Sequence, residues 1–425
     1  MIFSLDVRRA RKGDCLLLHF GTKAKPGLVM IDGGPSQVYG PFLKPRLLEI
    51  RKARNLDTQT PLPVDLLMVS HVDDDHIQGI LDLTREMLAS TQAPLLRVFS
   101  MWHNSFDDII GKDPKELKGA VTASFGAVSL DGGLPADAEL DSSEHPEVVR
   151  SSLQVLASIE QGHRLRGDAE KLGYPRSPEF DGKLVIAGKT QVAIAGGLTF
   201  TVAGPMVPEL KALQKKHDEW LKSLKGKSPE ESLAAYVDTS VPNLSSIVVF
   251  AKMGGKSILL TGDARGDKIL QGLELAGVLK KGAAMEVDIL KVPHHGSSNN
   301  LDKDFFERIK PAHYVFSGNG ENGNPERESL EMLFAARGAE PFEIHLTYPV
   351  AEIDVARQAD WETEQGKEKK KKAAGSKNQV RPNWSAATNS LAAFLKKTPL
   401  AKGQKVSVVD EKTPHVIDLL DPLGF

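Results

Sequence analysis

Histidine and aspartate crowd one short stretch of the chain. His71, Asp73, Asp75 and His76 lie directly after the apolar residues 64–69. The apolar run predicts a buried strand, and the spacing of apolar residues after His76 predicts an amphipathic helix. Imidazole and carboxylate groups presented together at a strand end are typical ligands of divalent metal ions. An acidic, solvated turn with incidental histidines is the alternative interpretation.

Other polar side chains also follow predicted strands. They are Asp32, Asp263, and the adjacent pair His294 and His295. If all these strands end at one edge, their polar side chains lie close to the stretch from His71 to His76. Unrelated turns would not be expected to place such side chains after strand upon strand. An ordinary Asp-Gly turn explains Asp32 equally well on local grounds. His103 follows a further strand as a candidate ligand or substrate contact, with a solvated or core histidine as the alternative.

Composition limits both the location of the protein and its metal chemistry. The chain has 425 residues, 40% hydrophobic and 26% charged, and a single cysteine. A metal must therefore be held by histidine and carboxylate, because no disulfide within the chain or thiolate cluster can form. No apolar run approaches ~20 residues and no signal-peptide pattern begins the chain, so we expect a cytoplasmic protein without membrane association. The net charge of -2 leaves nucleic-acid binding to local basic patches such as residues 8–12.

The chain divides into a main unit and an extension. Residues 1–350 are predicted to form one main domain, interrupted by a Lys-rich helical insertion at about 206–240 that is either a packed helix or a nucleic-acid contact. Residues 351–425 are predicted to form a C-terminal extension with a flexible Lys-rich linker and a terminal hairpin. The linker is a solvated segment or a nucleic-acid contact. It is also a candidate target of a regulatory protease or a partner protein.

The order of the motifs resembles that of the metallo-β-lactamase superfamily. More specifically, it is similar to the hydrolase domain of ComEC-type DNA-uptake proteins. The matching motifs are Gly13-Asp14, Asp32-Gly33-Gly34, His71-x-Asp73-x-Asp75-His76, Asn243-x-x-Ser246, Leu260-Thr261-Gly262-Asp263 and Lys291-Val292-Pro293-His294-His295-Gly296-Ser297. The resemblance implies an α/β fold, a four-layer αβ/βα sandwich of two mixed β-sheets with the metal site on one edge.

The resemblance also implies roles for individual residues. Two divalent ions, zinc or manganese, would be held by His71 and Asp73 at one position and by Asp75, His76 and His294 at the other. Asp263 would bridge them, and Asp32, Asn243 and Ser246 would support the ligands from behind. Asp75 and His295 are the predicted catalytic residues. The predicted substrate contacts are His103, Lys291, Ser297 and Asn324.

Three positions depart from the superfamily pattern. Asp73 stands where the common motif has histidine, which shifts the expected metal from zinc toward manganese or a mixed preference. No histidine follows residues 203–205, where many members place a ligand of the first metal. Asn324 stands where relatives often have histidine.

The motif set predicts a metal-dependent hydrolase. The leading prediction is a phosphodiesterase or nuclease in which two metals activate a hydroxide that attacks DNA or RNA. Hydrolysis of a small ester, a lactone or a cyclic nucleotide is the second interpretation, because the fold alone does not separate these substrates. A binding or regulatory module with a weakened metal site is the third.

Overall fold

A computed structural model gives the structure of the chain. It describes residues 1–105, 108–109, 161–212, 214–215, 245–373, 375, 378–409 and 413–425. Asn243 and residues 216–240 of the predicted insertion lie outside the described residues.

The described residues form strands and helices in mixed order. The strands are β1 Ile2–Val7, β2 Leu16–Gly21, β3 Pro26–Ile31, β4 Leu62–Val64, β5 Leu66–Val69, β6 Leu96–Val98, β7 Met101–His103, β8 Gln191–Ala195, β9 Leu198–Gly204, β10 Val248–Met253, β11 Lys256–Leu260, β12 Met285–Lys291, β13 Ile309–Phe316, β14 Phe342–Leu346, β15 Gln404–Val408 and β16 His415–Asp418. The helices with defined bounds are α1 Lys44–Ala53, α2 Asp74–Ala89, α3 Gly266–Leu275, α4 Lys303–Arg308, α5 Arg327–Arg337, α6 Val350–Ala373, α7 Ala386–Asn389 and α8 Leu391–Lys397.

Two large sheets dominate the part of the chain that the structure describes. One has six strands in the order β16-β1-β2-β3-β5-β7, and the other has eight in the order β15-β14-β13-β12-β11-β10-β9-β8. Strands β1, β2 and β3 pair antiparallel, whereas β3, β5 and β7 pair parallel. In the second sheet β8 to β11 are antiparallel and β11 to β15 are parallel. Both sheets are therefore mixed.

Alternating side chains divide the interior into three apolar layers. Leu66 and Met68 of β5 pack between the sheets, whereas Leu67 and Val69 pack against helices on the outer face. The strands of the eight-stranded sheet alternate likewise between the inter-sheet layer and an outer layer with α3, α4 and α5. Side chains along a strand alternate between the two faces of its sheet. Because both faces are apolar here, each must be covered by other elements of the fold. The predicted α/β class, a four-layer αβ/βα sandwich with two mixed sheets as in the metallo-β-lactamase fold, is confirmed.

Helix α2 begins at the end of the cluster of acids. Asp74 and Asp75 occupy its first turn, where the helix dipole favours negative charge. Its apolar side chains pack on the outer face of the six-stranded sheet. Gly33 and Gly79 allow the helix to approach the end of β3, since a Cβ on Gly79 would lie 1.9 Å from the Gly33 carbonyl oxygen. This contact fixes the helix relative to the strand end.

The predicted terminal hairpin is wrong. Strand β15 pairs in parallel with β14 at the edge of the eight-stranded sheet, whereas β16 pairs antiparallel with β1 at the edge of the six-stranded sheet. Both strands therefore cover an edge of a sheet that would otherwise expose unpaired backbone groups. The C-terminal segment thus supplies one edge strand of each sheet.

The Lys-rich segment is helical where a flexible linker was predicted. Residues 365–373 continue α6, and the chain that returns at residues 381–384 packs along it. Trp361 donates a hydrogen bond to the Pro382 carbonyl oxygen at 2.9 Å, and the Arg381 guanidinium contacts Glu368 at 2.8 Å. These contacts and pairs such as Lys367 with Glu364 hold the helix in place of the expected coil. Among the described helices, none is both long and apolar enough to cross a lipid bilayer.

Candidate metal centre

Strand ends from both sheets meet at one edge of the sandwich. Asp32 follows β3 and His71 follows β5, and these two strands are parallel. Asp263 follows β11 and His295 follows β12, a parallel pair in the other sheet. His76 reaches the same place from the first turn of α2. The chain thus assembles its candidate ligands from segments that are far apart in sequence.

Asp32 and Ser70 orient two histidines. The Asp32 carboxylate accepts hydrogen bonds from the Ser70 backbone N–H and hydroxyl, both at 2.7 Å, and lies 2.8 Å from His76 Nδ1. The Ser70 hydroxyl lies 3.1 Å from His71 Nδ1. These contacts place an N–H on the Nδ1 side of each ring and leave Nε2 of both histidines facing the centre. Asp32 thus has the geometry of a residue that positions a ligand.

Asp263 is the common neighbour of the inward-facing imidazoles. Its Oδ1 lies 3.2 Å from His76 Nε2, and its Oδ2 lies 3.7 Å from His71 Nε2 and 3.5 Å from His295 Nε2. His295 Nε2 is also 3.5 Å from Asp75 Oδ2. The Asp263 backbone N–H donates to the Ser246 hydroxyl at 3.3 Å. Asp263 therefore lies between the groups of the two sheets, and its role as a bridging ligand, which the resemblance implies, stays a prediction.

Several buried polar atoms at this centre lack a hydrogen-bond partner within the described residues. They are Nε2 of His71, His76 and His295, Oδ1 of Asp263 and Oδ1 of Asp14. A buried polar atom without a partner costs about 1–3 kcal/mol, so convergence of several such atoms calls for a ligand. At this centre, two groups of side chains have donor atoms within 4.8 Å of one another and could hold an ion: His71 with Asp75 and His76, and Asp14 with His76, Asp263 and His295.

The separations between donor atoms fit a divalent metal ion. Ligand atoms about 2.0–2.2 Å from a tetrahedral ion lie about 3.4 Å from one another. The distances that join Asp263 to His71, His76 and His295 run from 3.2 to 3.7 Å. They lie at or beyond the upper limit for hydrogen bonds of good geometry and are close to the edge lengths of a coordination polyhedron. The residues present therefore fit the metal that their chemistry implies.

The histidine pair after β12 lies on an unusual backbone. His294 and His295 both have left-handed conformations, with φ of 47° and 54°. Two consecutive non-glycine residues in this region store strain, which the surrounding structure must compensate. The turn sends the rings apart: His295 is buried, whereas the His294 side chain is 28% exposed and its Nε2 lies 3.6 Å from Asp263 Oδ2. His295, predicted as a catalytic group, thus lies deeper among the donor atoms than His294, the predicted ligand.

Asp14 also lies at this centre, although no role was predicted for it. Its Oδ1 lies 3.4 Å from His295 Nδ1, its Oδ2 lies 3.8 Å from His76 Nδ1, and its backbone N–H donates to the Asp75 carbonyl oxygen at 3.2 Å. The Gly13-Asp14 motif is the only sequence signal, because Asp14 lies in the turn before β2 and follows no apolar run. Its proximity to Asp75 is a tertiary contact that local pattern does not predict.

Lys291 is buried beneath the carboxylates. Its ammonium is ion-paired with Asp14, lies 4.0 Å from Asp263 Oδ1, and is 1% exposed. A substrate cannot reach it in this conformation, so the predicted substrate contact is corrected to an internal counter-charge. A lysine at the end of a buried strand can enter the interior only where carboxylates compensate its desolvation.

The electrostatics of the centre favour positive charge between the carboxylates. Burial raises the pKa of Asp263, but His295 and His76 hold that pKa well below its usual range. Burial lowers the pKa of His295, but Asp263 opposes this and raises the pKa to about 10. For His71, burial and the nearby His76 lower the pKa to about 3. A divalent cation would supply the positive charge that these carboxylates stabilise.

The remaining predicted residues lie at different distances from the donor atoms. Asp73 Oδ2 is 3.7 Å from His71 Nε2, and the side chain is 30% exposed, which puts it at the rim. His103 Nε2 lies 3.3 Å from the Gly162 carbonyl oxygen, beside Val72. Ser297 and Asn324 are buried next to the His295 turn, where Asn324 Oδ1 has no hydrogen-bond partner among the described residues. The individual roles of these residues stay predictions.

Comparison with known proteins gives partial matches only. No family model matches the chain. Human microtubule-associated protein 1A is 34% identical over 79 residues, which are 18% of this chain and 3% of that protein. ComE operon protein 3 of Bacillus subtilis is 31% identical over 101 residues, which are 23% of this chain and 12% of that protein. The matched regions are thus a small fraction of these curated relatives.

Solved structures match over most of the chain at low similarity. A CmlA beta-hydroxylase variant aligns with 98% of this chain and 54% of its own, at 12% identity and a TM-score of 0.34. A candidate metal-dependent hydrolase from Parabacteroides distasonis aligns with 80% of this chain and 97% of its own, at 9% identity and a TM-score of 0.28. The fold class rests on the layers and the strand order of the chain itself.

Proposed function

We propose that the protein is a metal-dependent hydrolase that uses two divalent ions, zinc or manganese. The observation that carries this proposal is the set of buried donor atoms of His71, His76, His295, Asp263 and Asp14 that have no hydrogen-bond partner among the described residues, at one edge of the sandwich. A binding module with a weakened metal site would not need so complete a set. Asp14 and His295 would add donors beside His76 and Asp263, in a group distinct from that of His71, Asp75 and His76.

Divalent ions at this centre would supply Lewis acidity and lower the pKa of water. The chain's own residues then orient the ligand groups and balance their charge. Asp32 fixes the ring of His76, and Ser246 holds the backbone of Asp263. Lys291 balances the buried carboxylates. His294, at the exposed side of the centre, is the imidazole that a substrate would meet first.

The finer proposal is a phosphodiesterase or nuclease acting on DNA or RNA. A basic turn, residues 8–12, supports it because its end packs against the centre: a Cβ on Gly13 would lie 1.8 Å from the Asp75 carbonyl oxygen. Burial raises the pKa of Asp74, and the charge of Lys12 opposes that rise, so Lys12 acts on a carboxylate at the start of α2. Arg11 is partly exposed and ion-paired with Glu321 at 2.9 Å. A polyanion bound at the centre would contact these cations.

The same turn limits the size of the cationic surface. The Arg8 side chain pairs with buried Asp6 at 3.3 Å, and Arg9 donates to the Val409 carbonyl oxygen at 3.2 Å. These two arginines therefore serve the interior of the fold. This observation favours a small phosphodiester, ester or lactone as the second candidate substrate class. The partial match to ComE operon protein 3 supports a relation to ComEC-type hydrolase domains, which we propose with the nuclease function.

Nuclease activity is tested on purified protein with plasmid and with oligonucleotides in Mn²⁺, Mg²⁺ or Zn²⁺. The variant Asp75→Ala/His76→Ala should lose activity by more than about a hundredfold, because removal of supporting residues alone costs 10–100-fold. Asp267→Ala, at an exposed acid, is the control. Lys12→Ala should weaken DNA binding, and the slope of the logarithm of the binding constant against the logarithm of salt concentration should fall in magnitude by about 1. Lys23→Ala, in the turn at the opposite end of β3, should change neither quantity.

The outcomes separate the substrate classes. Degradation that needs a metal and depends on Asp75 and His76 supports the nuclease. If nucleic acid stays intact in every metal and the same protein hydrolyses a small phosphodiester or ester, the nuclease proposal is replaced by the small-molecule substrate class. Bound metal without turnover of either kind of substrate would support the remaining interpretation, a binding module.

A further inference from the structure

A second group of potential metal ligands lies in the layer between the sheets. His313 of β13 and Glu343 and His345 of β14 alternate with residues of the outer core, so they face the six-stranded sheet. His415, at the start of β16, meets them from that sheet. The Ser317 hydroxyl lies 2.9 Å from His295 Nδ1 of the candidate metal centre. His313 precedes Ser317 by four residues, roughly 13 Å along an extended chain, so this group is separate from that centre. We call these four residues the inter-sheet histidine cluster.

The donor atoms of the cluster converge. His313 Nδ1 lies 3.0 Å from His345 Nε2 and 3.8 Å from Glu343 Oε2. His345 Nε2 lies 3.9 Å from Glu343 Oε1. One donor atom from each residue lies within 4.8 Å of the other two. Because cis ligands of an ion at about 2.1 Å are roughly 3.0–3.4 Å apart, small side-chain movements would complete a three-ligand site.

Neighbouring groups hold these side chains in place. Glu343 Oε1 accepts hydrogen bonds from Lys405 Nζ at 2.8 Å and from the Ser407 hydroxyl at 2.6 Å. This arrangement turns Oε2 toward His313. His345 Nδ1 lies 2.8 Å from His415 Nε2, a contact that leaves Nε2 of His345 facing His313 and Glu343.

The charge state also suits a metal ion. Burial lowers the pKa of His313, and burial together with His415 lowers the pKa of His345 to about 3. Both shifts favour the neutral imidazole, which presents the lone pair that a metal requires. Glu343 adds one negative charge. Two imidazoles and a carboxylate favour borderline ions over Mg²⁺ or Ca²⁺.

We propose that His313, Glu343 and His345 bind a borderline divalent cation, Zn²⁺ or a chemically similar ion, and that His415 fixes the orientation of His345. Through His415 the bound ion ties the edge of the eight-stranded sheet to strand β16 of the six-stranded sheet. The site stabilises the corner at which the C-terminal strands close the sandwich. The alternative is a chain of neutral imidazoles linked by hydrogen bonds without an ion.

Metal content distinguishes the two arrangements. Protein is equilibrated by dialysis against buffered Zn²⁺ and its metal is measured by mass spectrometry. His313→Gln and Glu343→Gln should each contain one ion fewer per chain than the wild type. His163→Gln, at another half-buried histidine, should match the wild type. The readout is the difference between proteins, so it does not depend on how many ions the candidate metal centre holds.

A second measurement uses the variant Asp75→Ala/His76→Ala, in which the candidate metal centre is impaired. Zn²⁺ should still raise its unfolding temperature, and adding His313→Gln should abolish that rise. The His313 side chain is 28% exposed, so its replacement is compatible with folding, and Glu343→Gln provides an independent variant. Equal zinc content in the wild type, His313→Gln and Glu343→Gln would overturn the proposal and leave the hydrogen-bonded imidazoles.

Discussion

Replacing Lys291 by methionine tests whether the candidate metal centre depends on a buried counter-charge. The ammonium is 1% exposed and ion-paired with Asp14, and the Gly262 carbonyl oxygen accepts a hydrogen bond from it at 3.4 Å. Methionine keeps most of the apolar stem but removes the charge. Burial raises the pKa of Asp14, and Lys291 with His295 holds it well below its usual range. Without Lys291, a buried carboxylate loses its main partner.

The expected loss in the free energy of unfolding follows because both members of the ion pair are buried. Removing one partner of a buried ion pair typically costs 3–5 kcal/mol, since it leaves an uncompensated charge. We therefore expect Lys291→Met to lower the free energy of unfolding of the metal-free protein by about 3–5 kcal/mol. This equals roughly a hundredfold or greater change in the unfolding equilibrium. Divalent cations should reduce the difference, because they bring positive charge to the same carboxylates.

Lys256→Met is the matched control. Its ammonium pairs with Asp288 at 2.8 Å but is 41% exposed, and exposed pairs contribute about 0–1 kcal/mol. Urea unfolding is followed by circular dichroism and by fluorescence of buried Trp102, with a chelator and then with Mn²⁺. A loss below about 1 kcal/mol for Lys291→Met, equal to that for Lys256→Met, would refute the counter-charge role.

Three further substitutions test the fold and the centre. Although burial raises the pKa of Asp6, contact with His19 and the charge of Arg46 lower it to about 2. This stabilisation is present above the unfolded pKa near 4 and lost as pH falls through 2, so the deficit of Asp6→Asn in urea unfolding should shrink by about 2 kcal/mol between pH 5 and pH 2. Asp32→Asn should weaken metal binding about 10–100-fold in a titration, because the His76 ring loses its acceptor; unchanged affinity would contradict the positioning role. Gly79→Ala should lower the unfolding temperature, since the new Cβ meets the backbone, whereas Gly167→Ala, in a helix with open space, should raise it slightly; equal effects would contradict the close approach.

Local sequence pattern predicts the parts of the site that follow apolar strands. His71 and Asp263 follow such runs closely, and His76 lies at the start of the helix after the first of them, so periodicity and residue type mark all three as candidates. Asp14 could not be found in this way. Its place in the centre depends on the hydrogen bond from its backbone to Asp75, which joins segments about sixty residues apart. A single sequence carries little local signal for such a contact.

The C-terminal extension is a second region in which local sequence pattern fails to predict tertiary contacts. Its lysine run has the composition of a linker, and its last two apolar runs have the spacing of a hairpin. The helix forms because the returning chain supplies partners such as Arg381 for Glu368. The strands separate because each sheet has an open edge that one of them can cover. In both cases tertiary contacts override local preference.

The geometry of the centre is a property of the inter-sheet core. His71 and His76 are held by the six-stranded sheet and its helix, whereas Asp263 and His295 are held by the eight-stranded sheet. The distances between the two pairs are therefore fixed by the apolar layer that separates the sheets. Because a close-packed interior transmits small displacements, a cavity or an enlarged side chain in that layer would change the His76–Asp263 separation without touching either residue. The same layer carries the inter-sheet histidine cluster, so the packing that aligns one group of ligands also aligns the other.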